Sequence, residues 1–396
     1  MLPLEGLLVA DFSRVLAGPL ATQLLGDWGA RVIKVESIDG DETRRWGPPF
    51  VGDVSAYFLS VNRNKESIAI DLKSEEGAEA ARRLIERADV VVDNFLPAQK
   101  ESLRFAPREV NPRVVHCTIA GFDSDTDDAN TPGYDLLAQA GSGLMSITGE
   151  ADGEPMKIGV ALADVLTAHY AFGAICAALR SGEGASLEIS LFSATIASLA
   201  NVAQNVLVTG AEAARFGNAH PSIVPYQVFH GSDRPFAIGA GTDRHFGQLC
   251  DRVLRRPELA HDKRFATNAE RVKHRGVLVP ILEAEFSTRT AAQWVSRCRR
   301  AAIPASLVRG VREALRTPAA RGLVASVEHP EIGAYDAVRN PVRINGQRRD
   351  IGSAPPSLGQ HTDAILRELG LSASNTKKPA ARRSRSSRPP ARRSRS

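Results

Sequence analysis

A chain of 396 residues, 43% hydrophobic and 24% charged, is long enough for one large or two moderate domains with a real core and has the composition of a soluble globular protein. Its formal net charge of +5 belongs to one end: nine Lys and Arg residues and no acid lie from Lys377 onward, leaving 41 bases against 45 acids elsewhere. The basic balance is thus no argument for a nucleic-acid-binding body, and four scattered cysteines (Cys117, Cys176, Cys250, Cys298) without a CxxC pair exclude a zinc or disulfide framework, leaving reduced thiols in a cytoplasmic protein as the plain reading.

The opening "MLPLEGLLVADFSRV" has no basic leader and places Glu5 and Asp11 in its apolar stretch, so it does not read as a signal peptide. Segments 7–12, 31–36, 67–72, 89–95 and 113–122 are rich in Val and Ile and predict strands. Between them "AGPLATQLLGDWGA" and "SEEGAEAARRLIERA" predict helices, the second starting at Ser74 with acids in its first turn. This alternation predicts an α/β fold, Rossmann-like, with a parallel sheet covered on both faces. Ligands of such sheets bind at the carboxyl ends of the strands. No GxGxxG or GxxxxGK[ST] follows a strand, which disfavours dinucleotide and P-loop chemistry.

The stretch 159–180, "GVALADVLTAHYAFGAICAALR", predicts a helix that is apolar nearly all round, with Asp164 at its mouth. It is the one membrane-span candidate, and Asp164, His169 and Arg180 interrupt it; no membrane partner is expected. A strand follows at 185–192, then a hairpin over 224–241 turning at "GSDRP", amphipathic helices between about 243 and 300, Pro-containing loops over 330–372 and a last helix, "HTDAILRELG". From 373 on there is no apolar residue larger than alanine, so that segment should be disordered. Its "RRSRS" repeats make nucleic acid a conceivable partner only through residues 377–396.

Asp164 has two explanations. An acid in a first turn satisfies free backbone N–H groups and the helix dipole. The same environment keeps a carboxylate ionised and nucleophilic in a dry cleft, and the Gly-rich "AGSGLMSITGE" upstream lets a bulky ligand approach.

A set of ordered motifs narrows the choice: "LEGLLVADFSRVLAGPLATQLLGDWGARVIKVE", "GDETRRWGPP", "SAYFLSVNRNKESIAIDLKSEEG", "ADVVVDNF", "NPRVVHCTIAGF", "GYDLLAQAGSG", "ALADVLTAHYA", "GASLEISLF", "RFATNAERVKHR" and "SAPPSLGQHTDAILRELG". In these the chain resembles the family III coenzyme A transferases, a group that includes formyl-CoA transferase, carnitine-CoA transferases and the 2-methylacyl-CoA racemases. The resemblance runs from residue 3 to about 371. It implies that Asp164 is a nucleophile that becomes an aspartyl-CoA thioester while CoA passes from an acyl-CoA to a carboxylic acid, with no metal. It implies CoA contacts at Leu16, Ala17, Leu72, Lys73, Asn94, Phe95, Leu96, Tyr134 and Asp135, with Lys73 as a phosphate ligand and Leu72 and Phe95 flanking the adenine. Tyr134 stands where racemases carry His, and Thr242 or Asp243 where they carry Glu; tyrosine is a poor base at neutral pH, so the transferase reading leads, with the racemase, or a non-catalytic CoA-binding protein with a nucleic-acid-binding tail, as alternatives. Ser37, Leu16 and Ser102 replace an Arg, a Gln and an Arg of formyl-CoA transferase, which argues against oxalate and formate as substrates and leaves Lys100, Arg44 or Arg45 to supply positive charge. The resemblance further implies a large domain from both chain ends (1–200 and 326–372), a linker (201–224), a small domain (225–325), a tail (373–396) and an interlocked homodimer.

Overall fold

The computed structural model describes residues 2–372; the expected tail, 373–396, lies outside them. In chain order the elements used below are β1 (Leu8–Asp11), α1 (Ala17–Asp27), β2 (Arg31–Glu36), β3 (Lys65–Ala69), α2 (Glu75–Arg87), β4 (Val90–Asp93), α3 (Pro97–Leu103), β5 (Val115–Ala120), α4 (Asp135–Gly141), α5 (Leu162–Ser181), β6 (Ala185–Ser190), α6 (Leu191–Ser198), α7 (Asn201–Thr209), β7 (Tyr226–His230), β8 (Pro235–Gly239), α8 (Arg275–Phe286), α9 (Ala291–Arg300), β9 (Ala305–Leu307) and α10 (Thr362–Glu368). Two compact units emerge. Among the described residues the first holds 2–132, 167–190 and 325–372; the second holds 133–166 and 191–324.

In the first unit six strands form one parallel sheet in the order β3-β2-β1-β4-β5-β6. The run of Val and Ile in β2 and β4 is buried almost throughout, as a sheet covered on both faces requires. The order reverses between β1 and β4, and in a doubly wound sheet that reversal opens a crevice at the carboxyl ends of the two strands. Helix α2 begins where Ser74 Oγ accepts the Gly77 N–H at 3.0 Å. It carries Glu75 and Glu76 in its first turn and Arg87 in its last, matching the helix dipole. Gly77 is required there, since a Cβ would sit 1.9 Å from the Asp71 carbonyl oxygen. The returning chain is pinned to the sheet edge by His361: its N–H donates to Ser67 O at 2.9 Å and its Nδ1 accepts the Ser67 N–H at 3.1 Å.

Strand 67–72 of the sequence reading begins two residues earlier, at Lys65, and ends at Ala69. Within 330–372, read as loops, Gly333–Val338 pairs with Val324–His329 and a two-residue hairpin joins Arg343–Ile344 to Gln347–Arg348. These strands are largely exposed on both faces, so they lack the alternation that signals a half-buried strand.

The second unit contains a three-stranded antiparallel sheet, β9-β8-β7. The β7–β8 turn closes with Gly231 N–H to Arg234 O at 3.0 Å, at the predicted "GSDRP". Its core is aromatic: the Phe286 ring lies 4.9 Å from Phe229, 5.3 Å from Phe236 and 5.2 Å from Trp294. The indole N–H of Trp294 donates to Phe286 O at 2.7 Å, so the buried ring leaves no polar atom unsatisfied.

Candidate active site

The residues assigned to CoA by resemblance fall into two sets. Leu16, Ala17, Leu72, Lys73, Asn94, Phe95 and Leu96 belong to the first unit and Tyr134, Asp135 and Asp164 to the second. The first set gathers at the carboxyl ends of β3, β1 and β4, the edge that the sheet topology marks.

At that edge the loop from β1 to α1 is held in an unusual shape. Val15 has φ 74°, the left-handed region that a β-branched residue enters only when its surroundings over-determine it. The determinants are visible on both sides. Asn94 Oδ1 accepts the Arg14 N–H at 3.1 Å and Asn94 Nδ2 donates to Arg14 O at 2.9 Å. Val15 N–H donates to Asp41 Oδ2 at 3.3 Å, and Lys34 Nζ donates to Ser13 O at 2.9 Å. The amide of Asn94, expected to contact CoA, is thus engaged at both ends by the loop backbone. Phe95 packs edge-on against Phe105 at 5.1 Å, and Phe105 against Phe12 at 5.0 Å. Leu72 lies against the same cluster and borders a cavity of about 410 Å³ with Ala78, Arg82, Ile85, Leu103 and Phe105.

Beneath the loop lies a buried charge network. Lys65 Nζ meets Asp11 Oδ2 and Lys34 Nζ meets Asp41 Oδ2, both at 2.9 Å, with all four side chains fully buried. Burial opposes ionisation of Asp41, yet Lys34 and the Thr43 N–H and hydroxyl outweigh it and hold the carboxyl down to about 2. Burial likewise draws the Lys65 ammonium down to about 8 although Asp11 counters it. Ions taken this far out of water persist only when paired and hydrogen-bonded, and here they fix the loop's backbone.

Of the cations proposed to serve CoA, Arg44 is bound to both oxygens of Glu36 at 2.7 Å and Lys100 to Asp93 Oδ1 at 3.1 Å. Arg45 and Lys73 are exposed. Sequence reasoning passed over Arg14. Its Nη1 lies 3.3 Å from Glu42, its Nε is buried without a partner, and it stands two residues past Phe12, in the crevice loop; that position after a strand end was its one signal.

In the second unit Asp164 occupies the first turn of α5 and is half-buried. The preceding residue is fastened to α4: Ala163 N–H donates to Asp135 Oδ1 at 2.9 Å. The other Asp135 oxygen accepts from Gln139 Nε2 at 2.8 Å, and Gln139 Oε1 accepts the Ile158 N–H at 2.8 Å. Asp135 therefore satisfies a free N–H of the helix start and fixes the backbone from which Asp164 projects. Tyr134, next to it, is 54% exposed. This is a carboxylate at a helix N-terminus, where the dipole favours the ionised form, and chemically it is suited to nucleophilic attack on a carbonyl. The described residues contain no group of His, Cys, Asp and Glu arranged to hold a metal ion.

The sequence profile of CoA-transferase family III matches residues 4–362. The chain is 41% identical over 379 residues to a mouse (Mus musculus) succinyl-CoA:glutarate CoA-transferase, covering 93% of this chain and 87% of that one. It is 40% identical over 387 residues to the succinate–glutarate CoA-transferase of Agrobacterium fabrum, covering 93% and 96%. Among solved structures, a CaiB/BaiF family protein from Brucella suis superposes with a TM-score of 0.82 at 39% identity, covering 93% of this chain and 99% of that one.

Proposed function

The chain belongs to CoA-transferase family III and moves coenzyme A between an acyl-CoA and a carboxylic acid; from that premise we propose that Asp164 is the residue acylated during transfer and that the acids exchanged are dicarboxylates of the succinate and glutarate type. The observation that carries the assignment is a carboxylate in the first turn of α5 whose neighbouring backbone is clamped by Asp135.

Each step exchanges one bond. An Asp164 oxygen attacks the acyl-CoA carbonyl, the C–S bond breaks, and CoA leaves as thiolate, giving a mixed anhydride. The thiolate attacks Cγ of Asp164 and expels the donor acid as carboxylate, leaving an aspartyl-CoA thioester. The acceptor carboxylate attacks Cγ and releases the thiolate, which then takes the acceptor's acyl carbon and frees Asp164. No proton is gained or lost and no oxidant is needed. The thioester's energy passes through two anhydrides, so the protein's task is to position the reactants and keep water from the anhydride. The Val15 loop and the carboxyl ends of β1 and β4 serve as the CoA cradle, with Leu16, Ala17, Phe95 and Leu96 against the pantetheine and adenine and with Arg14, Arg45 and Lys73 offering positive charge to its phosphates. Tyr134 orients the acyl group. The dicarboxylate assignment rests on the relatives' activities.

The working form is a homodimer in the cytoplasm. The second unit exposes Met156, Val160, Leu207 and Val208 at 57%, 58%, 79% and 74%, apolar side chains that a partner copy would cover. Helix α5 is long and apolar enough to span a bilayer, with 28% of that stretch buried, and it leads directly into β6 of the parallel sheet.

The test is mass spectrometry of intact protein incubated with succinyl-CoA. A gain equal to CoA less one water, localised to residue 164 and absent from Asp164→Asn, is expected together with loss of glutarate-dependent transfer. An Asp164→Asn chain that still transfers CoA, with unchanged folding by circular dichroism, would refute the assignment.

A further inference from the structure

The second unit concentrates positive charge that the transfer steps above do not call on. Arg255, Arg289, Arg297 and Arg300, with Ala292, Gln293 and Ser296, line an open surface groove of about 630 Å³ in which Arg297 is half-buried and the other three arginines are exposed. The local sequence explains how they meet. Helix α9 starts at Thr290, whose hydroxyl accepts the Gln293 N–H while Gln293 Oε1 accepts the Thr290 N–H, a reciprocal cap. Its core stripe is Ala291, Trp294, Val295 and Cys298, so Gln293, Ser296, Arg297 and Arg300 share the outward stripe at helical spacing. Arg255 enters from the π-helical turn Leu249–Leu254 at φ 61°, a left-handed conformation few non-glycine residues adopt.

Arg256 takes Glu258, and also Glu285 at 3.4 Å; Asp233 Oδ1 accepts the Ala291 N–H at 2.7 Å. Among the described residues none of the four lining arginines has a carboxylate partner. Arg300 is steadied by donating to Ser296 Oγ at 3.0 Å. The Arg289 and Arg297 guanidinium groups lie 5.8 and 5.3 Å from the centre of the same Trp294 ring, and both line the groove. Burial, with Arg289, Arg255 and Arg300 around it, holds the Arg297 guanidinium below its ordinary range. Like charges held together without a counter-ion are unfavourable, and an anion entering the cleft removes that cost.

We propose that this cleft is a second anion site, on residues other than those assigned to CoA transfer, that takes a small molecule bearing two or more phosphate groups. Each guanidinium presents a planar fork matched to phosphate oxygens. A dicarboxylate offsets at most two of the four charges, whereas a diphosphate offsets more. The chain's own basic terminus carries the wrong sign to fill the groove.

Inorganic pyrophosphate, coenzyme A and citrate are the probes, titrated calorimetrically into the full-length protein at two salt concentrations. Pyrophosphate is expected to bind one equivalent per chain, more weakly at high salt. The Arg289→Ala/Arg297→Ala variant should weaken it at least tenfold while keeping the wild-type CoA-transfer rate and melting temperature. Arg297→Lys, which keeps the charge and loses the fork, should give an intermediate affinity. Two equivalents of coenzyme A, one of them lost in the double variant, would identify the phosphates of CoA as the natural source; pyrophosphate binding with a single CoA equivalent would point to a free phosphate ester. Absence of pyrophosphate binding at millimolar concentration, equal affinity in the folded double variant, or citrate binding as tightly as pyrophosphate would each overturn the proposal. The binding readouts do not pass through Asp164, so they separate this site from the transfer mechanism.

Discussion

Replacing Asn94 by alanine removes the two hydrogen bonds, at 3.1 and 2.9 Å, that fasten the backbone of Arg14 from both sides. Each such bond contributes about 1 kcal/mol net, so the loop loses about 2 kcal/mol of constraint. Next to it Val15 sits at φ 74°, a conformation costing roughly 1–2 kcal/mol for an L-residue, so the freed loop has reason to relax to ordinary backbone angles. If CoA is recognised by the loop as it stands, binding must first restore that shape. At about 1.4 kcal/mol per tenfold, the acyl-CoA KM should rise about 30-fold. The rate at saturating acyl-CoA should change far less, since Asn94 and Asp164 are not assigned to the same step. The assay is steady-state transfer between succinyl-CoA and labelled glutarate over a range of donor concentrations. Val15→Gly supplies the control: glycine adopts positive φ without strain, so Asn94→Ala should cost less KM in that background. A KM within twofold of wild type in a folded Asn94→Ala enzyme would refute the reasoning. Equal costs of Asn94→Ala with and without the Val15→Gly change would show that strain is not what the clamp opposes.

Asp41, held at about 2 against the usual 3.8, contributes stability that is fully present above pH 4 and is lost as the pH falls toward 2. Asp41→Asn should therefore lower stability at pH 7 by about 2 kcal/mol and flatten its acid dependence, measured by urea denaturation at pH 7 and pH 3. Phe286 packs against Phe229, Phe236 and Trp294 at full burial; Phe286→Ala should cost about 3–5 kcal/mol in the same measurement, because the aromatic cluster cannot close over the void. Deleting residues 373–396 should leave CoA transfer unchanged in the standard assay and should abolish any salt-sensitive nucleic-acid binding by the full chain.

The alternating strands and helices of the first 120 residues were legible because each depends on local chemistry. Val and Ile runs mark buried strands, and Ser74 with its following acids marks a helix start; the structure moves these boundaries by a few residues at most. Asp164 was legible as an anomaly, a charge in an otherwise apolar helix. What its neighbours do was not. Asp135 lies 28 residues before Ala163 in the chain, and Asn94 lies 80 residues from Arg14, so no periodicity or motif spacing joins either pair. The same holds for the strained Val15, the paired state of Lys100 and Arg44, and the arginines that meet around Trp294. Sequence by itself determined which segments bury and which residues can carry charge or attack a carbonyl. Only the tertiary structure decided which of those groups neutralise one another and which remain available, because pairing depends on separations of a few ångströms between residues brought together by the strand order and by the packing of helices on the core.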